Sequence, residues 1–422
     1  MRIVYHCADA VGARMAGPGI RAVELARRLA TRHDVTLVAP GAASAGLPGA
    51  APSTGARGAD ARLAVAEPAA LASLLRGAEV FITQGFDFPL PLLLRFRGRL
   101  VLDLYDPVQL EHLARLEGVA TPDQQVALAY LRRRLQYLVS RADHVLCASA
   151  PQRALWLGWL GACGRLAPEA LLGDPEARRL LAVVPFGVPE APPRRDGTPL
   201  RAACGLAAGD RVALWSGGLW DWMDPALAVR AAALVRAQVP HFHLALLAGT
   251  RPGAQQMRAA ADAARLAAHE LPFVHFVNQW VEYEGRGAWL LDADLAVSAH
   301  KPSLEAELAF RTRLLDCLWA ALPAACTAGD VLADEGARQG WARTAPPGDA
   351  AALASAMLSL CTADGNARAR EAARASAASR TWSRSADTLL ALLDAPAPAR
   401  ASAFSPAMAM SAARKVLQRL RK

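Results

Sequence analysis

This sequence predicts two doubly wound α/β domains, Rossmann-like and of similar size, facing each other across a cleft. Three observations carry that expectation. The chain is 422 residues and 44.6 kDa, more than one hydrophobic core usually organises. Short apolar runs alternate with stretches of helical periodicity, the pattern of a parallel sheet with crossover helices. The alternation also occurs twice, with a Pro- and Arg-rich stretch after Val188-Pro189 between the two arrays. The expected division is a first Rossmann-like domain at 1–187, a second at 188–395 and a basic tail at 396–422.

The elements follow in order. Arg2 to His6 is a short apolar strand, Gly17-Pro18-Gly19 punctuates, and Ile20 to Arg32 sets Val23, Ala26 and Leu29 on one helical face. Val35 to Val38 is the next strand, and strand–helix–strand of this length implies a right-handed crossover. Residues 41–62, rich in Ala, Gly, Pro and Ser, read as a loop or excursion. Strands are expected at Val80–Ile82, Leu100–Leu102 and His144–Cys147, with a long helix Pro122–Ser140 between the last two. Val183 to Pro189 reads as a strand entering the linker. The second array has strands at Arg211–Trp215, Leu244–Leu247, Val274–Val277, Leu295–Val297 and Ala324–Cys326, with helices at 225–237, 254–269, 308–321 and 349–361.

Composition narrows the classes. Hydrophobic residues make up 53% and charged residues 20%, which excludes a wholly disordered chain and a disulfide-built miniprotein. Mean hydropathy is +0.17, yet apolar stretches such as Trp289 to Val297 are short and interrupted, there by Asp292 and Asp294. Arg14, Arg21, Glu24 and Arg27 close behind the first strand argue against a secretory signal, and a cytoplasmic location is expected. Net charge is +9, almost all of it arginine, since lysine occurs only at Lys301, Lys415 and Lys422. A solvated basic surface competes with anionic substrates or lipids as its reason. No block of interleaved basic and aromatic residues suggests nucleic acid. Seven scattered cysteines without C-x-x-C, and nine histidines without an H-x-x-x-H pair, suggest reduced thiols and no bound metal.

Several motifs bear on chemistry. Gly17-Pro18-Gly19 opens a helix, whose unpaired N–H groups can hold an anion. Its G-x-G-x-x-A form invites an NAD(P)-dependent oxidoreductase, but the loop before Gly17 is too long for the tight turn and no ribose-binding acid ends the second strand. Asp292-Ala293-Asp294 has the D-x-D form of some metal-dependent sugar transferases; a capping role at the head of the Leu295 strand is the structural alternative. In Glu305 to Pro323, Arg311 and Arg313 crowd positive charge onto the already positive end of a helix. A diphosphate would relieve that conflict; local neutralisation by Glu305, Glu307 and Asp316 would also do so.

Taken together, Ala16-Gly17-Pro18-Gly19-Ile20-Arg21, Asp103-Leu104-Tyr105-Asp106-Pro107, Val184-Pro185-Phe186-Gly187-Val188, Trp215-Ser216-Gly217-Gly218-Leu219-Trp220-Asp221-Trp222 and the Phe310–Pro323 stretch resemble bacterial glycosyltransferases of family 4 (group 1), which have the GT-B fold. The resemblance implies transfer of a sugar from a nucleoside-diphosphate sugar to a glycan or lipid-linked acceptor, as in polysaccharide biosynthesis. Transfer would retain configuration and use the donor as substrate, with neither cofactor nor metal. It also implies donor contacts at Gly17, Gly19, Arg21, Gly217 and Gly218, with Asp316 on the ribose where the family usually has Glu; Arg311 and Arg313, from their place at a helix start, are the candidates for holding the diphosphate. Another family Glu falls at Leu308, for which Glu305 or Glu307 would substitute. Asp103 or Asp106 would orient an acceptor hydroxyl, though both also suit turn or N-cap positions before Pro107. The family's diphosphate-binding Arg and Lys are replaced by Gly218 and the Trp220-Asp221-Trp222 run. A fold-retaining, non-catalytic protein is therefore the alternative.

A membrane surface is the last expectation. Pro122 to Arg141 carries Arg132, Arg133, Arg134 and Arg141 among Leu128, Leu131, Leu135 and Leu138. The tail adds Arg414, Lys415, Arg419, Arg421 and Lys422 around Val416, Leu417 and Leu420. Basic amphipathic segments of this kind lie in anionic headgroups at the inner face of a membrane.

Overall fold

The computed structural model describes residues 1–42, 50–52, 62–114, 116, 120–249 and 259–397. Its first sheet contains β1 (Arg2–His6), β2 (Asp34–Val38), β3 (Ala50–Pro52), β4 (Leu63–Ala66), β5 (Val80–Thr83), β6 (Arg99–Asp103), β7 (His144–Cys147) and β8 (Leu181–Val183), in the order β3-β4-β2-β1-β5-β6-β7-β8. The second contains β9 (Arg211–Trp215), β10 (Phe242–Leu247), β11 (Val274–Val277), β12 (Leu295–Ser298), β13 (Ala324–Thr327) and β14 (Ala342–Ala345), ordered β11-β10-β9-β12-β13-β14. Every pairing is parallel. Helices cover both faces of each sheet, which explains why β5, β7 and β12 are buried at every position and read as unbroken apolar runs.

Where sequence and structure differ, the reasons are local. The strands β3, β4 and β14 add to those expected: β3 is three residues long, β4 (Leu63-Ala64-Val65-Ala66) continues into the Ala-rich stretch after it, and β14 carries Arg343 and Thr344 on a sheet edge. The strand expected at Val183 begins earlier and stops before Pro185, which has no N–H for the ladder. The single helix expected at 308–321 is two, Leu304–Leu308 and Thr312–Trp319, because Ala309 turns extended (φ −69°, ψ 152°) between them. Of the helix expected at 254–269, Ala259–Ala267 is observed, and 254–258 lie outside the described residues. So do 43–49 and 53–61 of the expected loop, and 398–422 of the expected tail.

The chain crosses between the domains twice. After β8 it passes through Val188, which pairs in parallel with Thr381, to the second sheet. The helix Trp382–Asp394 then returns to the first domain. There Arg99 Nη1 donates to the Leu393 and Ala395 carbonyls at 2.7 and 2.9 Å, and Arg28 Nε donates to Ser383 Oγ at 3.1 Å. Across the cleft, Gln152 Nε2 donates to the Leu308 carbonyl at 2.9 Å, the Tyr283 N–H to the Ala13 carbonyl at 3.1 Å, and Phe186 stacks on Phe310. The domains are thus in contact, with the strand ends of the second sheet turned towards the first. Among the described residues no helix is long and apolar enough to cross a membrane.

Candidate functional site

A cavity of about 240 Å³ lies between the domains, outside the carboxyl ends of β9, β10 and β11. This is the switch point of the second sheet, where β9 leads to β10 on one side and neighbours β12 on the other. Parallel sheets open a ligand crevice at such points. Gly17 and Ile20 of the helix Gly17–Leu29 close it from the first domain; Gly217, Trp220, Arg313 and Asp316 face them from the second. The volume falls below the ~300–1,000 Å³ that encloses drug-sized molecules, so a ligand of that size would extend into the cleft mouth.

Arg313 dominates its electrostatics. The residue sits in the first turn of the helix Thr312–Trp319, with Arg311 at the N-cap. Its Nη2 donates to the Gly218 carbonyl at 3.1 Å, its guanidinium lies 5.0 Å from the centre of the Trp215 ring, and Nη1 is buried without a partner. Burial, and then repulsion by Arg311, pull its pKa down to about 9. No carboxylate among the described residues pairs with it, because the nearby acids are occupied: Glu305 by Arg311, Asp316 by Arg286. Gly217, at φ 97°, turns the chain after β9 and leaves room at 3.8 Å from Nη2. A half-buried cation with a desolvated, unpartnered Nη1 and no counter-charge costs folding free energy. Here it lines a cavity.

Asp316 also lines the cavity and is one-third exposed. Arg286 Nε donates to its Oδ1 at 2.9 Å, and Arg286 Nη1 to the Tyr283 carbonyl at 2.6 Å. The Arg286 guanidinium lies 3.7 Å from the Tyr283 ring centre and 4.4 Å from that of Trp319. Burial opposes its charge, but Asp316 and Tyr283 outweigh burial and raise the arginine's pKa.

Of the residues expected at the site, Gly17, Gly217, Gly218, Arg313 and Asp316 are brought together at the cavity. The others lie elsewhere, which corrects the roles expected for them. Arg21 and Asp103 form a fully buried two-pronged ion pair at 2.7 and 2.8 Å, with the Tyr5 hydroxyl donating to Asp103 at 2.7 Å. Arg21 is also packed between Tyr105 and Phe186, so neither member of the pair reaches a ligand. Gly19 has a packing reason instead: a Cβ there would come within 2.7 Å of the Ala10 carbonyl. Arg311 is neutralised by Glu305 at 2.7 Å, both buried, and Glu307 points to solvent. Asp106 lies outside the cavity wall, its carboxyl pushed well above the usual range by burial, with Glu111 and Asp103 adding to it. The D-x-D motif is structural. Asp292 accepts from the Arg201 N–H at 2.8 Å, and Asp294 pairs with Arg201 and Arg211 at the opposite end of β12. Among the described residues no cluster of three or more His, Cys, Asp or Glu could hold a metal.

Two residues escaped the sequence reading. Arg286 begins the helix Arg286–Leu291, so the signal that singled out Arg313, a cation at a helix start, was present there too. His300 follows β12, buried, its Nδ1 2.8 Å from Thr327 Oγ1; burial, with Arg311 and Arg313 beyond it, lowers its pKa to about 4. A lone histidine after a buried strand carries no such signal.

Known proteins place the fold. No protein-family model matches the chain, and no curated protein matches it. Solved structures do. Sucrose-phosphate synthase from Thermosynechococcus elongatus superposes with a TM-score of 0.61 at 16% identity, covering 93% of this chain and 98% of that one. HepE of Anabaena, in complex with UDP-glucose, gives 0.62 at 15%, covering 93% and 99%. The α,α-trehalose 6-phosphate synthase from Burkholderia multivorans gives 0.62 at 13%, covering 99% and 98%. The chain has the two-domain GT-B fold of these glycosyltransferases.

Proposed function

We propose that this protein is a glycosyltransferase of family 4 that moves a sugar from a nucleoside-diphosphate sugar to a glycan or lipid-linked acceptor. The observation that carries the reading is Arg313: a half-buried cation without a counter-charge, its Nη1 buried and unpartnered, in the first turn of a helix on the wall of the interdomain cavity. An anion placed there meets both the guanidinium and the helix N-terminus. The likeness to nucleotide-sugar enzymes, one of them in complex with UDP-glucose, supports the same ligand class.

In this reading the diphosphate lies against Arg313 and the helix start at Thr312. Asp316 accepts from the ribose hydroxyls, and the base enters the crevice beside Leu247, Gly249 and Trp280. As the bond from the sugar's anomeric carbon to the phosphate oxygen breaks, its electron pair passes to that oxygen, and Arg313 stabilises the growing charge. The acceptor oxygen bonds to the same face of the anomeric carbon, giving retention, and its proton passes to the leaving phosphate. No protein carboxylate is needed at the anomeric carbon, which suits a site where Glu305 is occupied and Glu307 faces solvent. Positive charge for the leaving group comes from the protein, so the reading requires no metal.

Melting-temperature shifts with UDP, GDP and TDP, alone and as their glucose conjugates, test the donor class, since a ligand bound only by the folded state raises the melting point. No shift with any of them ends the reading. The second reading, a binding protein without turnover, is favoured by Leu308, whose carbonyl is held by Gln152 where the resemblance places a Glu near the sugar. Release of free nucleoside diphosphate from the conjugate that binds separates the two.

A further inference from the structure

We propose that Arg286 is a positioning residue that presents Asp316 to the ribose and ties that carboxylate to the contact between the domains. The inference rests on the sugar-nucleotide reading above and adds a residue that the resemblance does not supply. Arg286 spends Nε on Asp316 Oδ1 and Nη1 on the Tyr283 carbonyl. That fork fixes the rotation of the carboxylate, leaving Oδ2 for a ligand. The guanidinium is itself held by the Tyr283 and Trp319 rings, at 3.7 and 4.4 Å.

Both residues are tied outside the second sheet, Tyr283 by its backbone and Trp319 by its ring. The Tyr283 N–H donates to Ala13 of the first domain at 3.1 Å. Trp319 Nε1 donates at 2.8 Å to Ala191, on the segment joining the domains. Trp319 also stands one turn after Asp316 on the same helix face. Separation of the domains breaks the Ala13 contact and loosens one side of the clamp. The carboxylate is therefore best oriented when Ala13 is in place, which couples recognition of ribose to closure of the cleft.

The test compares affinity for UDP and for its dideoxy analogue lacking both ribose hydroxyls, by calorimetry, in wild type, Arg286→Ala, Arg286→Lys and Asp316→Asn. A charged hydrogen bond freed from its partner predicts that wild type favours UDP by about tenfold or more. In Arg286→Ala that preference falls towards one through weaker UDP binding, while affinity for the analogue stays within about twofold of wild type. Arg286→Lys keeps the cation between the rings but cannot span both acceptors, so it too loses the preference; it also serves if the alanine variant does not fold. Asp316→Asn removes the same preference, and combining it with Arg286→Ala causes no further loss. Wild-type selectivity retained in either Arg286 variant overturns the proposal while leaving the sugar-nucleotide reading intact. If wild type prefers GDP or TDP the same comparison is made with that nucleotide, and a wild-type protein that binds none of the three ends both.

Discussion

Replacing Arg313 with methionine should raise stability and abolish anion binding at once. The ordinary arginine pKa of 12.5 is lowered to about 9 here, first by burial and then by Arg311. Folded and unfolded chains are both protonated below about pH 9, so the cost to folding is fully present at pH 7 and is relieved only above pH 9. At about 1.4 kcal/mol per pKa unit the cost has a ceiling of about 5 kcal/mol. The bond to the Gly218 carbonyl offsets about 1.5–3 kcal/mol of it. The contact with Trp215 offsets about 1 kcal/mol more. Methionine, unbranched and uncharged, fills the same slot. Arg313→Met should then be about 1–2 kcal/mol more stable than wild type in urea at pH 7, while UDP affinity falls about tenfold to a hundredfold. Wild type saturated at a hundred times its Kd gains about 2.7 kcal/mol, and the variant at the same concentration should gain only about 0.4–1.4 kcal/mol. A variant less stable than wild type that still binds UDP equally well would refute the idea that this cation is held for an anion.

Three further outcomes follow from the same contacts. Arg311→Ala leaves Glu305 buried without its partner and should cost about 3–5 kcal/mol in urea denaturation; if it instead spares stability and removes UDP binding, Arg311 rather than Arg313 holds the diphosphate. Burial lowers both His6 and His300 to about 4, so the unfolded chain takes up their protons first and stability drops as pH falls from about 6.5 towards 4. Asp330, raised by burial to about 6, takes up its proton first in the folded state and partly offsets this, as does Asp106; the two histidines with Asp330 should together cost about 3 kcal/mol between pH 7 and 4.5, and a His6→Gln/His300→Gln variant whose urea midpoint falls as steeply as that of wild type would count against it. Flotation with anionic liposomes checks the membrane expectation: binding should disappear in high salt and weaken in Arg132→Ala/Arg133→Ala and on deletion of residues 400–422, whereas no flotation at low salt rules it out. Arg134 is left out of that test because its guanidinium is buried against Phe88 and donates to the Gly85 and Phe88 carbonyls.

By itself the sequence determined the architecture. Runs such as Val80–Ile82 and Val145–Cys147 are apolar at consecutive positions, and only a strand covered on both faces buries all of them. The helix-start conflict at Arg311 and Arg313 was legible for the same reason, because helix dipole and side-chain charge both follow from local sequence. Which arginine would be free was not legible. Glu305 lies six residues from Arg311 and could have served either cation; the extended turn at Ala309, with Leu308 held by Gln152 of the other domain, sent it to Arg311. Arg21 and Asp103 show the same limit over a longer range. Each looked like a ligand contact, yet β1, β6 and the first helix bring them together across 82 residues as a buried pair. Arg286 and Asp316, 30 residues apart, meet on the cavity wall instead, beside Tyr283, whose backbone bonds to the first domain, and Trp319, whose ring bonds to the linker. Periodicity is a property of neighbours in the chain and can be read there. Charge compensation is a property of neighbours in space, and only the packing of the two domains decided which charges were cancelled and which one was left facing the cleft.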